Sequence, residues 1–458
     1  MKVIVCGAGQ VGSNIARYLA GENADVTVVD RSPELVRKIS DSLDVQGLVG
    51  FASHPDVLQQ AGAEDADMVV AVTYSDEVNM VACQICHSLF EVPTKIARVR
   101  HQSYLDSAWS GLFSRENLPI DHIISPEVEV ARAIGRRLQV PGAFDVIPLC
   151  DGKVSLIGVH CTEQTPILNA PLRQLTGMFP DLNIVIVGIQ REGKGIVARG
   201  DSRLYPGDDV YFVAETAHLS RAMAAFAHEE REARRVIIVG GGNIGQNLAQ
   251  RVEATAPHVT LKVIEIDKAR AEEVAQRLDR AVVIHGSALD TEILEEANVG
   301  AAEAIVAVSN DDEVNILGSL LAKRYGCQRA VTLVNKTSYG SMVGSLGIDT
   351  VVSPRAITIS SILQYVRRGR IRAVHSVSEG FGELIEAEAL ETSALVGVPI
   401  RQARLPEGVL IGAIVRGDRV ILPRGDTTIR AGDRVVIFAA TPSVKKVERL
   451  FAVKLEFF

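Results

Sequence analysis

The chain has 458 residues, 47% of them hydrophobic, and a formal net charge of −8. That length exceeds one ordinary domain, and the acidic balance excludes non-specific nucleic-acid binding, which needs clustered Lys and Arg to displace counterions. No apolar run approaches the ~20 residues of a membrane span, and Lys2 is followed by too few apolar residues for a signal peptide, so a cytoplasmic chain is expected.

Taken in order, short apolar runs at residues 3–6, 26–30, 69–73 and 96–100 read as strands. Helical periodicity falls between them, near residues 10–19, 33–41, 54–61 and 76–90. Such alternation predicts parallel strands with crossover helices. From about residue 139 the punctuation changes. Short β-rich runs separated by Gly-Asp turns, such as Gly207-Asp208 and Gly432-Asp433, predict a small α+β lobe.

The chain is then written a second time. "VIVCGAGQVGSNIA" from Val3 returns as "VIIVGGGNIGQNLA" from Val236, and "AVTYSDEVNM" from Ala71 returns as "AVSNDDEVNI" from Ala307. "IDHIISPEVEVARAI" from Ile120 returns as "IDTVVSPRAITISSI" from Ile348, and "PGDDVYFVA" from Pro206 weakly as "AGDRVVIFA" from Ala431. The expected organisation is therefore α/β: two Rossmann-like parallel-sheet domains, each followed by a small α+β lobe, in tandem duplication. The boundaries read as 1–138, 139–230, 231–368 and 369–458, with the charged "HEEREARR" from His228 bridging the copies.

Each copy carries a strand–GxGxxG–helix unit: Gly7, Ala8, Gly9, Gln10, Val11 and Gly12 in the first; Gly240, Gly241, Gly242, Asn243, Ile244 and Gly245 in the second. In such units the first glycine permits a tight turn, the second lets backbone approach a pyrophosphate, and the third allows close helix–strand packing. The phosphates then meet free N–H groups and the positive helix end. Asp30 and Glu265 end the next strand, where an acid accepts from a ribose 2′-hydroxyl. A carboxylate there disfavours NADP but leaves NAD, ATP and ADP equally open. Arg98 and Arg100 share one face of a strand by alternation, and the second copy has no arginine in "AVTLVN" from Ala330, so the first site is expected to hold more phosphate charge. A structural salt-bridge role for these arginines is compatible with ligand contact. Thr73 and Ser309 follow an apolar strand at the ligand-facing end of the sheet, and Asp76 and Asp312 read either as ligand contacts or as helix caps.

Three motifs read as structure. Cys83-Gln-Ile-Cys86-His87 spells a haem-attachment pattern inside an amphipathic helix. "GIQREGKG" from Gly188 nearly spells a P-loop, but Gly195 stands where Ser or Thr should ligate magnesium, and its flanks read as strands of a hairpin. Three Arg-Gly-Asp triplets read as turns. The six cysteines form no evident disulfide framework, and the ten histidines are scattered, those in matched segments not being repeated. No placed acid–base pair or metal-ligand spacing is visible, which favours a binding module over the alternative, an NAD-dependent oxidoreductase acting on a small metabolite.

The tandem arrangement resembles the duplicated RCK (also called KTN) family, in the form of the cytoplasmic regulatory subunits of Trk-type potassium uptake systems. The resemblance covers essentially the whole chain and rests on "GAGQVG" from Gly7, "ASHPDVLQQAGAEDADM" from Ala52, "AVTYSDEVNMVACQ" from Ala71, "PIDHIISPE" from Pro119 and "VGGGNIG" from Val239. It implies a homotetrameric ring, peripheral on the inner face of the cell membrane under a membrane-embedded potassium transporter subunit, binding NAD(H) and ATP or ADP. On the family pattern Gly7 to Val11, Asp30, Thr73, Tyr74 and Arg98 form the first site. Gly240 to Ile244, Glu265, Ser309 and Asn310 form the second. The resemblance also implies that the helices after Pro126 and Pro354 pack between Rossmann units and that the small lobes pair.

Overall fold

The computed structural model describes residues 1–109, 111–179, 182–336, 338–339, 342–343, 346–366, 371–378 and 380–451. The expected boundary at residue 368 lies outside them. In the first copy β1 (Lys2–Cys6), α1 (Gln10–Gly21), β2 (Asp25–Asp30), α2 (Pro33–Ser42), β3 (Gln46–Val49), α3 (Pro55–Gln60), β4 (Met68–Ala71), α4 (Asp76–Ser88), β5 (Thr94–Arg98) and β6 (His122–Ile124) precede α5 (Pro126–Gln139). All six strands pair in parallel, in the order β3-β2-β1-β4-β5-β6. The order reverses between β1 and β4, and in open α/β sheets ligands bind at the carboxyl ends of the strands beside such a switch point.

Two of these strands, β3 and β6, escape the sequence reading because each is short and β3 is largely exposed. Two others end earlier than their apolar runs. The Thr73 N–H donates to Asn79 Oδ1 at 2.8 Å, and the Arg100 N–H to Asp76 Oδ2 at 2.9 Å. Side chains of α4 thus take over the ladder's hydrogen bonds and turn both chains out of the sheet.

The first small lobe holds β7 (Ala143–Leu149), β8 (Val154–His160), α6 (Leu175–Met178), β9 (Ile184–Arg191), β10 (Lys194–Val197), β11 (Asp209–Glu215) and α7 (Leu219–Ala224). Its antiparallel sheet has the order β10-β9-β11-β8-β7. The second Rossmann sheet repeats the first: β12 (Arg235–Val239), β13 (Thr260–Glu265), β14 (Val282–His285), β15 (Ala304–Ala307), β16 (Arg329–Leu333) and β17 (Thr350–Val352), with α8 (Asn243–Thr255), α9 (Lys268–Arg277), α10 (Thr291–Glu296) and α11 (Asp312–Arg324) between them. Its order, β14-β13-β12-β15-β16-β17, is the same. After the helix Pro354–Val366, the strands β18 (Ile371–Val377), β19 (Gly382–Glu388), β20 (Val409–Arg416), β21 (Arg419–Ile421) and β22 (Arg434–Ala440) repeat the small lobe. Both Rossmann-like sheets of the expected fold class, each with a small mixed lobe, are present.

The described chain forms two units. One is Met1–Glu129 with Ile357–Ile362; the other is Val130–Ala356 with Leu363–Phe458. Within the second unit the small lobes share a core, in which Leu156, Val187 and Val213 of one pack with Leu384, Val436 and Phe438 of the other. The "GIQREGKG" stretch is the β9–β10 hairpin, turning at Glu192 and Gly193 with φ of +49° and +75°. Two successive positive φ angles suit a tight hairpin turn. Its glycines serve packing: a Cβ on Gly188 or Gly195 would sit 2.5 or 2.1 Å from the Phe381 ring. Cys83 and Cys86 are buried in α4, where burial pushes the Cys86 thiol up to about 12, so the haem-like motif is core.

Candidate functional site

The two glycine loops fold alike, and each glycine has a separate physical reason. Gly7 has φ +112° and Gly240 φ +100°, a left-handed backbone that disfavours a side chain. Their N–H groups continue the sheet, donating to Val29 and Ile264 carbonyls at 2.7 and 2.8 Å. A Cβ on Gly12 would lie 1.8 Å from the Gly7 carbonyl oxygen, and one on Gly245 would lie 1.9 Å from that of Gly240. These third glycines let the helix close onto the loop. The middle glycines differ: a Cβ on Gly9 or Gly242 would have nothing within 4 Å.

Gly9 and Gly242 are the N-cap residues of α1 and α8, and neither helix has a side-chain cap. The first N–H groups of an α-helix have no intrahelical partner. By contrast α4 is capped by Ser75, whose Oγ accepts from Val78, and α11 by Asp311, whose Oδ1 accepts from Val314. Each glycine loop thus presents uncapped helix N–H groups, and the helix's positive end, beside open space.

The acids brace these loops. Asp30 Oδ2 accepts from the Ala8 N–H at 2.7 Å and Oδ1 from Ser32 at 2.8 Å. Glu265, only 9% exposed, does the same with Gly241 at 2.6 Å and Asp267 at 2.9 Å. One methylene longer, it reaches the same pair of donors. Every carboxylate oxygen has a second lone-pair direction, so each acid keeps capacity for a ribose hydroxyl while holding the loop.

Thr73 and Ser309 face inward. Thr73 Oγ1 donates to Asn79 Oδ1 at 2.7 Å, and Ser309 Oγ donates to Asn315 Oδ1 at 2.7 Å. The amide groups of these buried asparagines donate on to the carbonyls of Arg98 and Leu333 at 2.9 and 3.1 Å. The asparagine of each "DEVN" therefore ties together the ends of two strands and a helix. The sequence reading passed over it, although its repetition was the available signal. The next residues, Tyr74 and Asn310, are exposed. Asp76 and Asp312 are not caps: they are buried and accept from the backbone after β5 and β16, Asp312 from Asn335 and Lys336 at 2.9 and 2.8 Å.

The arginines do not share one face. Arg98 ends β5 and pairs with Glu127 on α5 at 2.7 Å. Arg100 has left the strand, and its guanidinium lies over the Tyr74 ring at 4.2 Å. In the second copy the loop has an arginine that sequence reasoning missed. Arg270 of α9 donates to the Gly241 carbonyl at 2.8 Å and to Gln246 Oε1 at 3.0 Å. The first copy has Leu35 at that position, three residues into α2 as Arg270 is into α9. No helix among the described residues is long and apolar enough to cross a membrane.

Comparison with known proteins agrees with this geometry. Residues 3–126 and 236–354 each match the TrkA-N domain, and residues 384–452 match the TrkA-C domain. The chain is 52% identical over 458 residues to the Trk system potassium uptake protein TrkA of Azorhizobium caulinodans, covering 100% of both chains. It is 43% identical to that of Halomonas elongata, again with 100% of both chains covered. The solved structure "GsuK channel bound to NAD" has the same fold, with a TM-score of 0.61 and 19% identity, covering 98% of this chain and 78% of that one. Both relatives carry the name of a transport system and of no enzyme. With two glycine-loop domains and a small-lobe domain matched along its length, the chain belongs to the TrkA family of Trk system potassium uptake proteins.

Proposed function

We propose that this protein is a nucleotide-responsive regulatory subunit of a potassium uptake system, acting through ligand-induced change of shape. The observation that carries the reading is the duplicated cradle: an uncapped helix N-terminus opening at Gly9 or Gly242 onto free space, beside an acid at the end of the next strand. A pyrophosphate fits the donors and the positive helix end, and an adenosine ribose fits the remaining capacity of Asp30 or Glu265. NAD(H), ATP and ADP share these groups. The first site comprises Gly7 to Gly12, Asp30, Thr73, Tyr74 and Arg98; the second comprises Gly240 to Gly245, Glu265, Ser309 and Asn310. Thr73 and Ser309 contribute as parts of the asparagine-tied wall. The second loop is already held by Arg270, so the first is the more responsive.

The four-lobe reading of the chain, 1–138, 139–230, 231–368 and 369–458, belongs to the same proposal. So do assembly as a homotetrameric ring and docking on the cytoplasmic face of a membrane-embedded Trk-type transporter. The ring has an energetic reason. Moving a 1:99 balance of two states to 99:1 takes about 5.5 kcal/mol of differential affinity, whereas one coupled site typically supplies ~1–3 kcal/mol. Several sites acting on one ring reach that figure.

The test is potassium flux through the reconstituted transporter with this protein and NADH, NAD, ATP or ADP in turn. Flux is expected to differ between nucleotides. Flux unchanged under every condition overturns the reading, as does saturable turnover of a metabolite with NAD that Asp30→Ala abolishes. Calorimetry of Arg98→Ala is expected to show ATP binding weakened at least tenfold, about 1.4 kcal/mol. Equal affinity in variant and parent would remove Arg98 from the site.

A further inference from the structure

We propose that Glu127 is a built-in competitor for the nucleotide's terminal phosphate at Arg98, and that the first copy alone carries this device. The inference rests on the nucleotide reading above. Arg98 lies at the same end of the sheet as the glycine loop. Its carbonyl accepts from Asn79, whose Oδ1 accepts from the Thr73 N–H, and that nitrogen lies 3.0 Å from where a Cβ on Gly7 would stand. Two hydrogen bonds therefore connect the Arg98 backbone to Thr73, whose backbone packs against Gly7 of the loop.

The Arg98–Glu127 pair is only half made. Nη2 donates to Oε1 at 2.7 Å, with the two side chains 15% and 16% exposed. Arg98 Nε and Glu127 Oε2 are buried and have no hydrogen-bond partner among the described residues. Arginine–carboxylate pairs are commonly made through two parallel bonds, and a buried donor or acceptor left empty is unfavourable. A guanidinium with Nε open, held by one carboxylate oxygen, suits a second, stronger anion. A terminal phosphate brings three acceptor oxygens and up to two charges, and the Arg98 nitrogen that Glu127 occupies belongs to both of the guanidinium's forked donor pairs.

The second copy is the internal control. There "VTL" and "SPR" replace "IAR" and "SPE", so Leu333 and Arg355 stand at the positions of Arg98 and Glu127. Neither charge of the device is kept. Glu127 also sits where its state matters. It lies in the first turn of α5, and the chain passes from one unit to the other between Glu129 and Val130 within that helix. The helix dipole favours a carboxylate in the first turn, so Glu127 has a place to remain when it gives up Arg98.

The experiment is calorimetric titration of the full-length protein and its Glu127→Gln variant with ATP and with NADH. The amide keeps the shape and removes the competing charge. ATP is expected to bind about tenfold tighter to the variant, while NADH, which has no terminal phosphate, changes by less than about twofold; tenfold corresponds to 1.4 kcal/mol. Glu127→Asp, which draws the carboxylate back, should move ATP affinity the same way if the amide variant folds poorly. In Arg98→Ala/Glu127→Gln the gain should vanish. Unchanged or weaker ATP binding in the Glu127 variants, with the parent binding ATP, overturns the inference and leaves the nucleotide reading standing. A parent that binds neither nucleotide overturns both.

Discussion

At the scale of single residues, the three glycines of one motif have three different reasons to be glycine, and identical substitutions separate them. A Cβ on Gly12 would meet the Gly7 carbonyl oxygen at 1.8 Å, so Gly12→Ala must push α1 off the loop. A loss of several kcal/mol, about 3 or more, is expected, read as a lowered melting temperature. Gly9 has φ −66° and an open surround, so Gly9→Ala should melt within a degree or two of the parent. Its ATP and NADH affinities should nonetheless fall at least tenfold, because the methyl group occupies the space left for phosphate. A Gly9→Ala variant that binds like the parent would mean that the opening is not the cradle. The acids show a related division of labour, since Asp30 and Glu265 each hold two backbone N–H groups before any ligand arrives.

The elements around the site are joined by one side chain per copy. Asn79 is fully buried and bonds the Thr73 N–H and hydroxyl on one side and the Arg98 carbonyl on the other. Asn79→Leu keeps the volume roughly but strands those groups. A loss of about 3 kcal/mol in the first unit is expected, given about 1–3 kcal/mol for each buried polar group left unsatisfied. Thermal unfolding followed by circular dichroism checks it, and Asn315→Leu should act alike in the second unit. An unchanged melting curve would show that water or rearranged backbone replaces the amide. Much of this was visible in the sequence as a repeated "DEVN". What was not visible is which of its residues faces inward, because helix periodicity alone permits Asp76, Asn79 or both. The neighbouring backbone, leaving the sheet two residues early, decides it.

For the whole molecule the second unit offers a further test. Its two small lobes meet through an ion cluster that no local pattern announces. Arg434 Nε donates to Glu386 Oε1 at 2.8 Å and also pairs with Asp151, while Glu386 Oε2 accepts from the Cys150 N–H at 2.7 Å. Glu386 is 2% exposed. Removing one partner of a buried pair leaves an uncompensated charge and typically costs 3–5 kcal/mol, so Arg434→Met should lower the melting temperature of this unit. Arg434→Met combined with Glu386→Leu should recover part of the loss, since no charge is then stranded, although the Cys150 N–H loses its acceptor. Failure of the double variant to recover would assign the loss to packing instead. The "GELIEAE" of β19 illustrates the limit of reading strands by alternation. Glu383 and Glu386 are both buried, because the second lobe's sheet is covered by the first, and Glu386 finds its cation, Arg434, on the neighbouring strand β22.

By itself the sequence determined the duplication, four of the six strands of the first Rossmann sheet and the helices between them, the two glycine loops with their acids, and the family. These are local or repeated signals: a GxGxxG needs only its own turn geometry, and two copies of one pattern vouch for each other. The tertiary structure alone decided that Arg98 faces Glu127 while Arg100 covers Tyr74, that Arg270 braces the second loop, and that Gly188 and Gly195 make room for Phe381. In each case the deciding partner is distant in the chain, and long side chains take their direction from whichever counter-charge or ring the fold brings within reach.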